Sequence, residues 1–173
     1  MSSFEQKRNK QVFEIIVILK IIYIILSMIA ISGFYNFNKE SNNVILIPVM
    51  FSAVLITMLV YFSWTVVYIK DKIDKPPTGN DYIETTMMLG IFILVMMTTG
   101  LENSGYKLLS IFIVLIGAIQ FGKNYSLGIA TVSTAIILLI DFIVIGPNKQ
   151  VLTQYFEKDL ILFSALFVTA FIL

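Results

Sequence analysis

The chain has 173 residues, a formal net charge of +1, 58% hydrophobic residues and only 13% charged ones. Soluble domains carry about 25% charged residues, so this composition, with a mean hydropathy of +0.90, places the chain in the membrane class. The near-neutral charge excludes an electrostatic footprint for nucleic acid. The absence of Cys and His removes disulfides, thiolate chemistry and the commonest general base and metal ligand, so neither an enzyme, a cofactor nor a metal site is expected.

The basic start "MSSFEQKRNKQ" is followed by apolar sequence from Val12. That segment runs to Tyr35, contains Glu14 and Lys20, and has no small-x-small site behind it. It is too long for a secretory signal core and reads as a retained first span. A helix rising about 1.5 Å per residue needs roughly 20 apolar residues to cross the hydrocarbon. On that rule the spans are expected at about residues 12–35, 44–69, 82–101, 107–122, 125–145 and 160–173. The runs are continuously apolar, without the alternation of a barrel strand, so they are helices. The expected fold is an all-α integral membrane protein, a six-transmembrane helical bundle forming a single multi-pass domain.

Short connectors separate the spans. "FYNFNKESNN" joins the first two, and "KDKIDKPPTGND" the second and third, with Pro76 and Pro77 ending the second helix. "ENSGYK" joins the third and fourth, "GKN" makes a tight hairpin between the fourth and fifth, and "GPNKQVLTQYFEKD" precedes the sixth. The fourth span is short. The sixth, "LILFSALFVTAFIL", is about 21 Å long and has no charged flank after Leu173, so it is expected to be a truncated helix.

Basic residues in short loops set the orientation. With the amino terminus in the cytoplasm, Lys7, Arg8, Lys10, Lys70, Lys72, Lys75 and Lys123 lie inside, against Lys39, Lys107, Lys149 and Lys158 outside. Tyr61, Trp64, Tyr68 and Tyr125 then gather at the inner headgroup level. The expected localisation is a cell membrane, crossed several times.

Ionisable groups within spans are costly and point to function. Lys20 lies roughly 12 Å along the first helix, and Glu84 opens the third span on the same inner side, with Gln120 at a similar level. Two readings stand: an intramembrane Lys20–Glu84 pair near Gln120, or a Lys20 side chain reaching inward to the headgroups. Asp141 lies roughly 24 Å along the fifth span, at the outer level of Glu102 and Lys107. Glu102, Asn103, Tyr106 and Asp141 form a candidate outer signal pocket; the alternative is a solvated Asp141 marking the interface. Gly117, Ala118 and Gly122 on the fourth span are expected to face Gly128, Ala130, Ser133 and Ala135 on the fifth, because small residues let helix backbones approach in lipid. No phosphate-binding loop, dinucleotide fingerprint, HExxH or GxSxG pattern is present, and no half-to-half repeat suggests an inverted-repeat transporter.

One stretch, "DYIETTMMLGIFILVMMTTGLENSGYKLLSIFIVLIGAIQFGKNYSLGIATVSTAIILLIDFI", carries a resemblance. An acidic residue opens its first span. Thr99-Gly100 and Asn103-Ser104 close that span, and Tyr106 follows. Phe121-Gly122-Lys123 makes a basic hairpin before a small-residue helix through Gly128, Ala130 and Ser133. This resembles the second half of the six-span membrane input module of bacterial sensor histidine kinases and GGDEF diguanylate cyclases. It departs at Gly100-Leu101 and Ser104-Gly105, where such modules often carry Gly-Gly and Ser-Pro.

The resemblance implies a sensory module whose sixth span continues into a kinase or cyclase, working as a homodimer in the lipid bilayer. Two other readings remain. One is the substrate-binding component of an energy-coupling vitamin transporter, similar in length and hydropathy, although the first span offers only Ala30 where such proteins carry an AxxxA-type motif. The other is a small accessory or immunity membrane protein.

Overall fold

A computed structural model describes residues 3–38, 52, 56, 59, 60, 63, 79–99, 105–145 and 149–172. Among them every regular element is helical. The elements are α1 (Ser3–Asn38), α2 (Gly79–Thr98), a 3-10 turn (Gly105–Leu108), α3 (Leu109–Phe121), α4 (Lys123–Ile145) and α5 (Lys149–Ile172).

Several boundaries differ from the sequence reading, each for a local reason. Helix α1 begins at Ser3, because the polar run of Glu, Gln, Lys and Arg ahead of the apolar segment consists of good helix formers. The connector before the last span is largely helical, since α5 starts at Lys149 and nothing after Pro147 in "NKQVLTQYFEKD" interrupts a helix. At the "GKN" hairpin Gly122 alone breaks the helix, and Lys123 and Asn124 already belong to α4.

Three helical segments among the described residues, not six, are long and apolar enough to cross a membrane: Lys10–Ser32, Gly79–Met97 and Lys123–Ile143. Gly105–Phe121 is a shorter apolar helix, and the apolar part of α5 is preceded directly by Glu157, Lys158 and Asp159. The expected second span, with Tyr61, Trp64 and Tyr68, falls outside the described residues apart from residues 52, 56, 59, 60 and 63. The outward faces are apolar as well. Ile18, Ile25 and Ile29 of α1, Leu139, Phe142 and Ile143 of α4, and Ile161, Val168 and Phe171 of α5 are all exposed. A helix facing water places polar residues there; apolar residues on both faces suit a hydrocarbon surrounding.

Among the described residues, the shortest α-helix lies at the centre of the others. Helix α3 packs against α1, α2, α4 and α5, and Leu109, Ser110, Ile113, Val114, Ile116, Gly117 and Ala118 are buried in it. Thirteen residues span only about 20 Å, a length that suits an element wrapped by longer neighbours. The neighbours each present one stripe at helical spacing: Ile16, Tyr23, Ile24 and Ile31 from α1, Met88, Phe92 and Val95 from α2, and Leu162, Phe163, Leu166 and Ala170 from α5.

Chain directions follow from cross-helix contacts. Lys20 meets Glu84 and Tyr23 meets Met88, so α1 and α2 run parallel. The end of α1 and the start of α2 are therefore at opposite ends of the bundle. Helices α3 and α4 form an antiparallel hairpin around Gly122, whose φ of 84° and ψ of −179° belong to a region open essentially to Gly alone. Its N–H donates to the Ala118 carbonyl at 3.0 Å, closing the end of α3.

The small-residue packing between these two helices is narrower than the sequence suggests. Gly117 forms a notch filled by Ile129, beside Tyr125, and the Ser126 hydroxyl donates to the Val114 carbonyl at 3.1 Å. Ala118, Ala130 and Ser133 are buried. Gly128, by contrast, is exposed with open space around it, and Ala135 is exposed. The inward stripe of α4 is Ser126, Ala130, Ser133, Ile137 and Asp141, and the 3.6-residue period turns Gly128 and Ala135 away from it.

Candidate functional site

Two groups of buried charges lie at opposite ends of the bundle. At the Gly122 end, the Lys20 ammonium donates to Glu84 Oε2 at 2.8 Å, with both side chains largely buried. Each charge would be expensive alone in an apolar setting, and each cancels the other. One turn further, the buried Tyr23 hydroxyl donates to the Met88 carbonyl at 2.7 Å. The Ser27 hydroxyl donates to the Tyr23 carbonyl at 2.8 Å. Lys20 and Tyr23 therefore reach α2 from one face of α1, and Ser27 extends that buried polar stripe by one turn.

Gln120 is half-buried at the same end, but its Oε1 has no hydrogen-bond partner among the described residues, so it stands outside the pair. Around it the rings of Tyr82, Phe121 and Tyr125 pack together, with centroids 4.4 to 5.2 Å apart. They bring α2, α3 and α4 into one aromatic cluster. Lys123 lies over the Phe171 ring at 3.4 Å from its centroid, a cation–π contact that fastens the far end of α5 to the start of α4. Asp81 is buried in the first turn of α2, where the positive end of the helix dipole favours a carboxylate.

At the other end, Lys107 is buried in the 3-10 turn. Its ammonium contacts both carboxylate oxygens of Asp141 at 3.0 Å and Asp159 Oδ2 at 2.6 Å. The three side chains are 7%, 5% and 8% exposed, respectively. Two carboxylates on one ammonium leave the cluster with a surplus of one negative charge when all three groups are ionised. The geometry joins three separate segments: the turn that opens α3, the last turns of α4, and the middle of α5. Asp141 is therefore a buried ion-pair partner and not a solvated marker of the interface. Of the expected outer pocket, Tyr106 is half-buried and packs against the core, while Glu102 and Asn103 lie outside the described residues.

Asp159, Tyr23 and Ser27 were not singled out by the sequence reading. Asp159 sits in a stretch that reads as a connector, and only its placement on a helix, three and seven residues before the buried Leu162 and Leu166, turns it inward. Tyr23 and Ser27 were legible in principle, since they follow Lys20 at helical spacing and so share its face.

No family model matches the chain, and neither a curated protein nor a solved structure matches it. The functional reading rests on the residues themselves.

Proposed function

We propose that the chain is a membrane-embedded sensory input module of a bacterial cell membrane. It has six spans and a cytoplasmic amino terminus, and it regulates a cytoplasmic output domain, a diguanylate cyclase or histidine kinase, carried beyond its last helix. The observation that carries this reading is the buried Lys107–Asp141–Asp159 cluster. In a chain this poor in charge, three ionisable groups held together by an apolar bundle are a costly feature without a purely structural need. They tie the last helix, the one leading toward the carboxyl terminus, to the core at the end assigned to the outer face.

The parallel direction of α1 and α2 supports the topology. The two helices can be parallel in a membrane only if the chain crosses back between them, which agrees with a span at 44–69. Helices α3, α4 and α5 then supply the fourth, fifth and sixth crossings, with Lys107 and Asp159 outside and Lys123 inside. Dimerisation follows from the kind of output expected. A signal acts here through different affinities for two helix arrangements.

The test is to read the coding DNA across the Leu173 codon. An open frame running into a cyclase or kinase domain is expected, and a stop codon at that point sinks the reading. In the longer protein, Asp141→Asn is expected to change output without preventing insertion; an unchanged response removes Asp141 from the signalling role.

A further inference from the structure

With all three groups ionised, Lys107 and Asp141 alone already form a complete pair. One ammonium lies at 3.0 Å from each of the two carboxylate oxygens, and the charges cancel. Asp159 is an addition to a pair that is already neutral. Its contact is shorter, 2.6 Å, yet it brings a second carboxylate against the first. Both contact the same nitrogen, which holds their nearest oxygens within about 6 Å, the range in which like charges perturb one another.

The elements on either side are unequal too. Asp141 sits on α4, which is locked to α3 by the Gly122 hairpin and the Gly117–Ile129 notch. Asp159 sits on α5, and its neighbours Glu157, Lys158, Leu160 and Ile161 are all exposed. Beyond Asp159, α5 is held by the buried Leu162, Phe163, Leu166 and Ala170 and, at its far end, by Phe171 beneath Lys123.

We propose that this cluster is a latch for the last helix. Asp159 is the releasable partner, and its exit into water lets the part of α5 before Leu162 move away while the buried stripe of Leu162, Phe163, Leu166 and Ala170 stays seated. Removing one partner from a buried ion pair is normally prohibitive because a charge is left alone in the interior. Here release leaves no such orphan, because Asp141 keeps Lys107 neutralised. The carboxylate that leaves regains its hydration, and the surplus negative charge leaves the core with it. Docked and released α5 are thus two discrete arrangements, the kind of element that a signal can bias. The latch stands on this geometry; that an output domain reads its release rests on the sensory reading above.

The latch makes an inverted prediction for Asp141→Asn. In an ordinary ion-pair network, removing either carboxylate loosens the structure. In the latch, Asp141→Asn makes Asp159 the sole partner of Lys107, so α5 can no longer leave without stranding a buried cation. Release removes the tertiary support of this segment and lets its intrahelical hydrogen bonds fray, so amide hydrogen exchange over residues 156–163, measured on the full chain in lipid nanodiscs, follows release. Asp141→Asn is expected to slow exchange there by about tenfold, equivalent to about 1.4 kcal/mol. Lys107→Gln, which leaves two carboxylates facing each other, is expected to accelerate it.

Faster or unchanged exchange in Asp141→Asn overturns the proposal. So does failure to recover that variant folded, since the remaining Lys107–Asp159 pair should carry the fold. If Lys107→Gln is not recovered, the Asp141→Asn comparison decides alone. Exchange on the isolated chain needs no output domain, so its result is independent of what the DNA beyond Leu173 encodes.

Discussion

Lys20 and Glu84, 64 residues apart in sequence, meet at 2.8 Å inside the bundle and bind α1 to α2. Their side chains are 6% and 11% exposed, so this is a desolvated pair. Its two members are far more costly apart than together. Lys20→Met and Glu84→Leu are each expected to destabilise the chain by about 3–5 kcal/mol, whereas the double replacement Lys20→Met/Glu84→Leu recovers most of that loss. Unfolding of the purified chain in mixed micelles measures the cycle. Additive losses in the double variant would show that the two groups act separately.

The Gly117 notch gives a prediction whose sign depends on one methyl group. A Cβ on Gly117 collides with the Cδ1 of Ile129, the movable tip of that side chain. Gly117→Ala gains about 1 kcal/mol of helix propensity but meets an overpacking cost of about 1–3 kcal/mol. The net effect in the native background is therefore small or destabilising. Ile129→Val removes the colliding atom, and in that background Gly117→Ala is expected to stabilise by about 1 kcal/mol. A coupling near zero in the double-mutant cycle would mean that the two residues do not share the notch.

Two glycines separate backbone constraint from space. Neither Gly122 nor Gly128 has an atom near the position of an added Cβ. Gly122, however, has a φ of 84°, whereas Gly128 lies within α4. Gly122→Ala is expected to cost about 1–3 kcal/mol through strain alone. Gly128→Ala is expected to stabilise by up to about 1 kcal/mol. Thermal unfolding of the two variants side by side tests the hairpin geometry, and equal effects would contradict it.

The topology is testable because the chain contains no cysteine. Single variants Ser3→Cys, Asn124→Cys and Glu157→Cys each introduce one reporter. In intact cells a membrane-impermeant maleimide is expected to modify the Glu157 position and to leave the other two untouched until the membrane is opened. Labelling of the Asn124 position in intact cells would reverse the orientation.

The helical class and the axial positions of the charged residues were legible in the sequence. Counting residues along each apolar run puts Lys20 level with Glu84, and Asp141 level with Lys107, because a helix rises by a fixed amount per residue. Rotation about the helix axis was less legible. Gly128 and Ala135 read as packing residues by composition, yet the period set by Ser126, Ala130, Ser133 and Ile137 turns them outward. Asp159 was missed for a different reason. A mixed stretch of polar and apolar residues between two apolar runs looks like a connector, and its helical continuation depends on α5 packing against α4 and α3. The central place of α3 was also hidden, since a short apolar run carries no mark of how many neighbours will surround it.

The central position of α3 has a consequence for biogenesis. Chains are made from the amino terminus at about 5–20 residues per second, so α1 and α2 are complete before the element that binds them to the rest exists. Until α3 arrives, the faces carrying Tyr23, Met88 and Phe92 lack one of their neighbours. The pairing of Lys20 with Glu84 gives the two early helices a way to neutralise each other during that interval. The same contact that anchors the mature bundle thus doubles as a holding clasp for its unfinished half, and its loss would be felt first during synthesis.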